Sequence, residues 1–537
     1  MDGHIKHTLA KNAFVKKDLS VQMGQCMLLA AECKYFNEAL RGLIENYCPA
    51  GFSLFRPFNV ESPEQLRSLT TAMQTAAAEQ GIAPLLLAAD QEGGQLMAVA
   101  PGTTQLPGNL ALGAVNDLEL AFRAGQVLGR ELAAVGVNVN YAPCADVNIN
   151  PRNPVIGTRS FGEDPEKVGT LAAALTRGIQ SVGVAATVKH FPGHGDTASD
   201  SHHGVPQVPH SLERLHAVEL PPFQQVLDAG VQLVMTCHLA LPALTGRVDL
   251  PATLSRRVLT QLLREEMGFR GVIVTDALDM HAICQGEALG MEAVAALQAG
   301  ADLLLTMSDA QDRERVYHGL QQAYNREILT VETVQAALGR VAALKTWVNT
   351  YFVQPELAVV NCKEHRAVAQ EIAERSITLV RDEQRLLPLR VASHQRVLVL
   401  MPNPRDLTPA DTSSYESPSL KNWWAERLPG VEELRYDSQP ESAEIAALVE
   451  RARQADLVIL GTINAYDQPG QGELMNALAA LQKPLIVAAL RMPYDLAVFP
   501  QVGTYLCTYS VLPPSMQALA RVLLGEIPTL GKLPVKI

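Results

Sequence analysis

The sequence predicts an α/β protein in which a (β/α)8 TIM-type barrel is followed by a smaller α/β (αβα sandwich) domain. Three observations predict this. From about residue 50 to 310, short apolar runs recur roughly every 30 to 50 residues, each followed by a stretch with helical amphipathic spacing. Several of the runs are apolar at successive positions, as parallel strands covered on both faces are. After residue 390 the rhythm restarts, which divides the chain into a barrel at 1–350, a linker at 351–390 and a sandwich domain at 391–537.

In chain order the runs are GFSLF, APLLLAAD, VNVNYAP, VAATVKH, VQLVMTCH, GVIVTDA and ADLLLTM, and an eighth is expected to be irregular or hidden near the N-terminus. Arg56, Asp90, Asp146, Lys189 with His190, His238 and Asp276 stand at or just beyond the ends of these runs. In a (β/α)8 barrel all such ends converge on one face, where functional groups gather. A doubly wound sheet would use only its switch point, and would not place polar groups after so many strands. Residues 351–390 read as an extended connector, a helix and a short strand-and-turn segment. Beyond them RVLVLMP, ADLVILG, PLIVAAL and TYLCTYS predict a mostly parallel second sheet. No G-x-G-x-x-G or P-loop follows RVLVLMP, so a structural or interface role is expected for this domain.

Composition narrows the function. The 537 residues include 44 basic and 56 acidic side chains, for a net charge of -12. That balance lacks the basic footprint that nucleic acid or an anionic membrane requires, and fits a small neutral or polar partner. No run of eighteen apolar residues occurs, and MDGHIKHTLAKNAFVKKDLS lacks the apolar core of a secretory signal. Eight cysteines are scattered without a CxxC or a compact framework, as in a reduced intracellular protein. The expectation is a cytoplasmic protein; its oligomeric state is not specified by the sequence.

The segment KHFPGHGDTASDSHHGVP, Lys189 to Pro206, holds four histidines and two aspartates. Such a set can bind a divalent ion, move a proton or satisfy a polar turn. His190 and His194 have the spacing of a zinc helix, but Pro192 and Gly193 intervene and break the helix that would present both. Asp276 ends a buried run, and a carboxylate there must be desolvated, so it needs donors or a positive neighbour. Lys189, His190 and Arg159 are the candidates, and their company favours catalysis over a structural cap.

PGNLALG, NPVIGTRSFGEDP, KHFPGHGDTASDSH, PATLS and GFRGVIVTDALDM occur in this order. Over residues 20 to 345 or so the chain thereby resembles family 3 glycoside hydrolases, in particular their β-N-acetylglucosaminidase branch. RDEQRLLPL, RMPYDLAVF and GKLPVKI are similar to segments of the smaller domain of its two-domain members. The resemblance implies a retaining exo-β-N-acetylglucosaminidase acting on terminal β-linked N-acetylglucosamine, as in muropeptides or chito-oligosaccharides, with no metal and no organic cofactor. Asp276 matches the nucleophile, His202 the general acid/base and Asp200 its partner. Asp90 matches a carboxylate that accepts from sugar hydroxyls, Lys189 and His190 match donors around the ring, and Arg159 a further binding residue.

An imidazole acid/base is chemically intelligible, because its ordinary pKa of about 6.5 lets it give and take a proton near neutrality. His203, His210 and Asp196 are expected to be loop residues, and Asp279 is a further carboxylate nearby. One departure stands out. Many relatives read EGGRVQR after the aspartate that Asp90 matches, whereas this chain reads EGGQLMAV, with Gln95 and Ala98 where arginines often stand. The alternatives are a phosphorylase, a broader β-glucosidase and a barrel that binds sugar without cleaving it.

Overall fold

The computed structural model describes residues 19–537 except 198–204, 281, 284–287, 393, 425, 426 and 429. Its first sheet has eight strands, all parallel: β1 (Met27–Ala30), β2 (Gly51–Leu54), β3 (Leu86–Ala89), β4 (Val139–Asn140), β5 (Ala185–Phe191), β6 (Leu233–Thr236), β7 (Val272–Val274) and β8 (Leu304–Leu305). They pair in chain order, β8 returns to β1, and a parallel bridge between Val274 and Leu303 joins β7 to β8 and closes the barrel. The expected eighth strand is MLLA, β1, in the N-terminal part of the chain.

Period-two alternation sorts the strand residues. Leu28, Leu86, Ala88, Val139, Ala185, Leu233, Val272 and Leu303 form one buried cluster, the barrel interior, whereas Leu29, Phe52, Leu87, Ala186, Val234 and Ile273 belong to the layer under the surrounding helices. The helix Val331–Tyr351 adds Val341, Leu344 and Val348 to the interior cluster and so plugs one end. The same parity carries Asp90 on from Ala88, Lys189 on from Ala185 and Thr187, and Asp276 on from Val274. These polar side chains continue the interior column above its last apolar layer.

The outer helices begin where capping chemistry places them. Ser62, Asp117, Asp164, Asp309 and Thr330 each accept a backbone N–H in the first turn of the helix that follows. The second sheet runs β9 (Thr378–Asp382), β14 (Thr504–Cys507), β13 (Leu485–Ala489), β12 (Leu457–Thr462), β10 (Val397–Pro402) and β11 (Val431–Tyr436) across its width. β9 is antiparallel to β14 and the remaining pairs are parallel. β9 lies within the stretch 351–390, so the strand-and-turn segment noted there is an edge of this sheet. Among the described residues no helix is long and apolar enough to cross a membrane.

Candidate active site

Asp90 and Glu92 lie just beyond β3, and Lys189 lies near the end of β5. The Lys189 ammonium bonds both carboxylates, the one to Glu92 at 2.6 Å. Arg159, on a short turn after β4, closes a fork on Glu92 through Nη2 at 2.8 Å and Nε at 3.0 Å. Burial alone would raise the Glu92 carboxyl, but Arg159 and Lys189 outweigh it and hold it at about 2. The side chains of Lys189 and Glu92 are 1% exposed, while that of Asp90 is 23% exposed. Asp90 is therefore the acceptor of the set that faces solvent.

His190 sits against this network. Its Nε2 is 3.3 Å from Arg159 Nη2, and its Nδ1 is 2.7 Å from Asp146 Oδ2. Asp146, fully buried after β4, also accepts the backbone N–H of His194 at 2.6 Å and that of His190 at 3.2 Å. Burial opposes its charge, yet these donors hold its carboxyl well below the ordinary range. Asp146 thus orients the imidazole and stitches the first turn of the histidine loop to β4. Gly195 is required there, since a Cβ would fall 1.8 Å from the Val147 carbonyl oxygen.

Asp276 follows β7 and takes the backbone N–H of Ala277 at 2.8 Å. The next carbonyl is held in turn: His238 Nε2 lies 2.9 Å from Ala277 O, and His238 Nδ1 lies 2.8 Å from the Thr253 hydroxyl of PATLS. Tyr141, whose hydroxyl is 2.7 Å from Ser53, is pushed up chiefly by burial and next by the charges of Asp90 and Asp276. Asp279, three residues on from Asp276, has an oxygen without a hydrogen-bond partner. Burial, with the charges of Asp312, Asp276 and Asp309, pushes it up to about 6.

Of the residues singled out from sequence, Asp90, Arg159, Lys189 and His190 meet directly, and Asp276 shares their interior column. Asp200 and His202 lie outside the described residues, as does His203. The described chain on either side of them is anchored: Asn153 donates to His194 O at 2.7 Å, His210 Nε2 is 2.8 Å from Asp196, and Val208 N donates to Ala240 O at 3.0 Å. Glu92 is the main residue that sequence reasoning passed over. Its signal was present in DQEGG, a second carboxylate two residues after Asp90.

Among the described residues two clusters have the spacing of metal ligands, Cys144–Asp146–His190 and Asp196–His210–Glu219. In the first, Asp146 is already saturated by donors, and burial and then Asp146 keep the Cys144 thiol protonated. In the second, the Arg214 guanidinium stands 3.5 Å from Asp196 and 3.4 Å from Glu219, where a cation would sit. Neither donor set fits an ion as arranged.

The second domain also reaches this rim, from the carboxyl ends of its own strands. After β13, Arg491 bonds both Asp411 and the Gln95 side chain. After β10, Thr412 donates its N–H to Gln95 O at 2.7 Å, and Tyr415 stacks 3.8 Å from the Arg56 guanidinium. After β12, the Tyr466 hydroxyl donates to Pro151 O at 3.0 Å, and after β14, Leu512 packs on Met97 and Ala100. Where relatives often carry an arginine, Gln95 is itself met by an arginine from the other domain.

These features define a class: a two-domain barrel enzyme whose polar strand ends form one mouth roofed by the second domain. The comparisons make it particular. Residues 18–344 match the glycosyl hydrolase family 3 N terminal domain and residues 377–537 the glycosyl hydrolase family 3 C-terminal domain, so the chain belongs to glycosyl hydrolase family 3. It is 32% identical to beta-hexosaminidase A of Pseudoalteromonas piscicida over 93% of this chain and 91% of that one. It is 28% identical to a beta-N-acetylglucosaminidase/beta-glucosidase of Cellulomonas fimi, over 87% of this chain and 85% of that one. The solved structure of a family 3 beta-N-acetylglucosaminidase from Paenibacillus sp. str. FPU-7 superposes with a TM-score of 0.92 at 38% identity, covering 97% of this chain and 99% of that one.

Proposed function

We propose that the protein is a cytoplasmic, retaining β-N-acetylglucosaminidase that removes terminal β-linked N-acetylglucosamine by double displacement. The observation that carries this reading is the convergence of Asp276 with the Asp90–Lys189–Glu92–Arg159–His190 network at one barrel mouth, in a chain similar to beta-hexosaminidases over nearly its whole length. In the first step Asp276 attacks the anomeric carbon, the glycosidic C–O bond breaks, and His202 delivers its proton to the leaving oxygen. In the second step water attacks the same carbon, His202 takes its proton, and the Asp276 carboxylate departs. Asp200 orients the His202 ring. Asp90 accepts from sugar hydroxyls, and Lys189, His190 and Arg159 hold it and the ring in place.

Glu92 supports this arrangement by neutralising two buried cations without exposing its own charge. A soluble carbohydrate substrate also fits the net charge of -12. The test is turnover of an aryl β-N-acetylglucosaminide by the wild type, Asp276→Ala and His202→Ala, with and without phosphate. Loss in Asp276→Ala and free N-acetylglucosamine as product are expected; full activity in Asp276→Ala sinks the mechanism. His202→Ala should slow poor leaving groups more than aryl ones, since the latter need less protonation.

A further inference from the structure

The chain around Asp276 is held from both neighbouring strands. On the β8 side, Thr275 N donates to Leu303 O at 2.9 Å and Leu278 N to Leu305 O at 3.0 Å. On the β6 side the ladder ends where Met235 pairs with Val274. Past that pair a side chain crosses the same seam: His238, two residues after β6, reaches Ala277 O through Nε2 at 2.9 Å. Asp276 Oδ1 accepts the N–H of that same Ala277 at 2.8 Å. Ala277 thus carries the carboxylate on its amide and the imidazole on its carbonyl.

The ring is itself fixed. His238 and Thr253 are both 0% exposed, so neither meets solvent or a sugar in the mouth. A backbone carbonyl can only accept, so Nε2 carries a proton. The Thr253 hydroxyl lies 2.8 Å from Nδ1, with Thr236 Oγ1 at 2.7 Å and Cys237 O at 3.1 Å as further partners. It can serve Nδ1 as donor or acceptor, and pins the ring plane in either role. Thr253 belongs to PATLS, on the short turn Ala252–Leu254, and Ala252 N donates back to Leu239 O at 2.7 Å. That motif is therefore tied to the segment after β6 by backbone and side chain together. An apolar side chain in place of His238 would fill the volume but leave the Ala277 carbonyl and the Thr253 hydroxyl short of a partner.

We propose that His238, oriented by Thr253, is a positioning residue for the nucleophile: by holding Ala277 O it fixes the residue whose N–H aims the Asp276 carboxylate. This role rests on the reading of Asp276 as nucleophile, and adds to it a residue that touches neither the sugar nor the leaving group. A misplacement of about 1 Å at an attacking atom costs on the order of a hundredfold in rate. The carboxylate attacks every substrate alike, so the loss falls equally on good and poor leaving groups, unlike the loss of a proton donor.

The experiment uses the reach of two amides: a glutamine carboxamide can take the place of Nε2, an asparagine one only that of Nδ1. Wild type, His238→Gln, His238→Asn, Thr253→Ser and Thr253→Val are compared in kcat/KM on an aryl β-N-acetylglucosaminide and on an N-acetylglucosaminyl disaccharide, and in the rate of labelling by a fluorinated N-acetylglucosaminyl donor. Hydrogen exchange of the peptide spanning Asp276 and Ala277 is followed by mass spectrometry in each. The expected drop is about a hundredfold in His238→Asn and about tenfold in Thr253→Val, by the same factor on both substrates and in labelling, with faster exchange in these two alone. His238→Gln and Thr253→Ser should stay within about threefold of the wild type. Equal losses in His238→Gln and His238→Asn, a loss confined to the disaccharide, or exchange unchanged in His238→Asn overturns the role. Should the His238 variants fail to fold, the Thr253 pair decides it by the same readings. A wild-type label on a carboxylate other than Asp276 sinks the nucleophile reading instead, and exchange in His238→Asn still shows whether the ring holds Ala277.

Discussion

The barrel carries a buried ionic network at each end, and the two are built differently. At the end plugged by the helix Val331–Tyr351, Asp302 takes Arg264 at 2.5 Å, Arg340 at 2.8 Å and the Ile273 N–H at 2.8 Å. At the mouth, Glu92 takes Lys189 and the Arg159 fork, and Asp90 shares Lys189 while keeping an open face. The cations on Glu92 are 1% and 3% exposed, whereas those on Asp302 are 11% and 28% exposed. Water therefore screens the lower pair more, and burial leaves Asp302 raised although Glu92 is held at about 2. A closed network with every lobe filled stabilises a fold; a network with one acceptor left facing solvent can also receive a ligand.

The contrast can be broken by mutation. The largest effect is expected from Asp276→Asn, which should lower kcat by at least about a thousandfold with little change in melting temperature, because it replaces the attacking carboxylate with an amide of the same shape. Next, Glu92→Gln strands the buried Arg159 and leaves the buried Lys189 with Asp90 alone. A loss of about 3–5 kcal/mol in denaturant unfolding is expected, together with roughly a hundredfold drop in kcat/KM as Lys189 and Arg159 shift. Asp302→Asn should cost a similar stability but leave the kcat of the folded fraction at the wild-type value. If both carboxyl variants lost activity in equal measure, the division between a structural end and a functional end would be wrong.

Smaller effects refine the picture. Arg491→Ala removes the bridge from β13 to Gln95 and Asp411, and should destabilise by about 1–3 kcal/mol while raising KM more than it lowers kcat. Asp279 supplies a pH test. Its folded pKa of about 6 lies above its ordinary value, so its contribution favours folding at low pH and fades as pH rises through 6. Asp279→Asn should therefore remove that part of the fall in melting temperature that Asp279 contributes between about pH 4 and 6.

Much of this was legible from residues at the ends of apolar runs. A parallel strand buried on both faces reads as a continuous apolar stretch, so the polar residue that ends it stands out, as Asp90, Lys189 and Asp276 do. β1 did not stand out, since four apolar residues after a short helix carry no period. Glu92 was hidden because its role comes from partners 67 and 97 positions away, Arg159 and Lys189, which only the barrel's closure brings together. The roof was hidden for the same reason. Arg491 and Tyr415 sit on loops whose composition is unremarkable, and their contacts with Gln95 and Arg56 span more than three hundred residues.

The central claim is that Asp276 is the nucleophile at this mouth. The most direct measurement is the intact mass of the protein, followed by peptide mapping, after incubation with a slow fluorinated N-acetylglucosaminyl donor that accumulates the glycosyl-enzyme. The account predicts one added sugar on the peptide that contains Asp276, absent in Asp276→Asn. A sugar attached to another carboxylate, or an adduct that persists in Asp276→Asn, would contradict it.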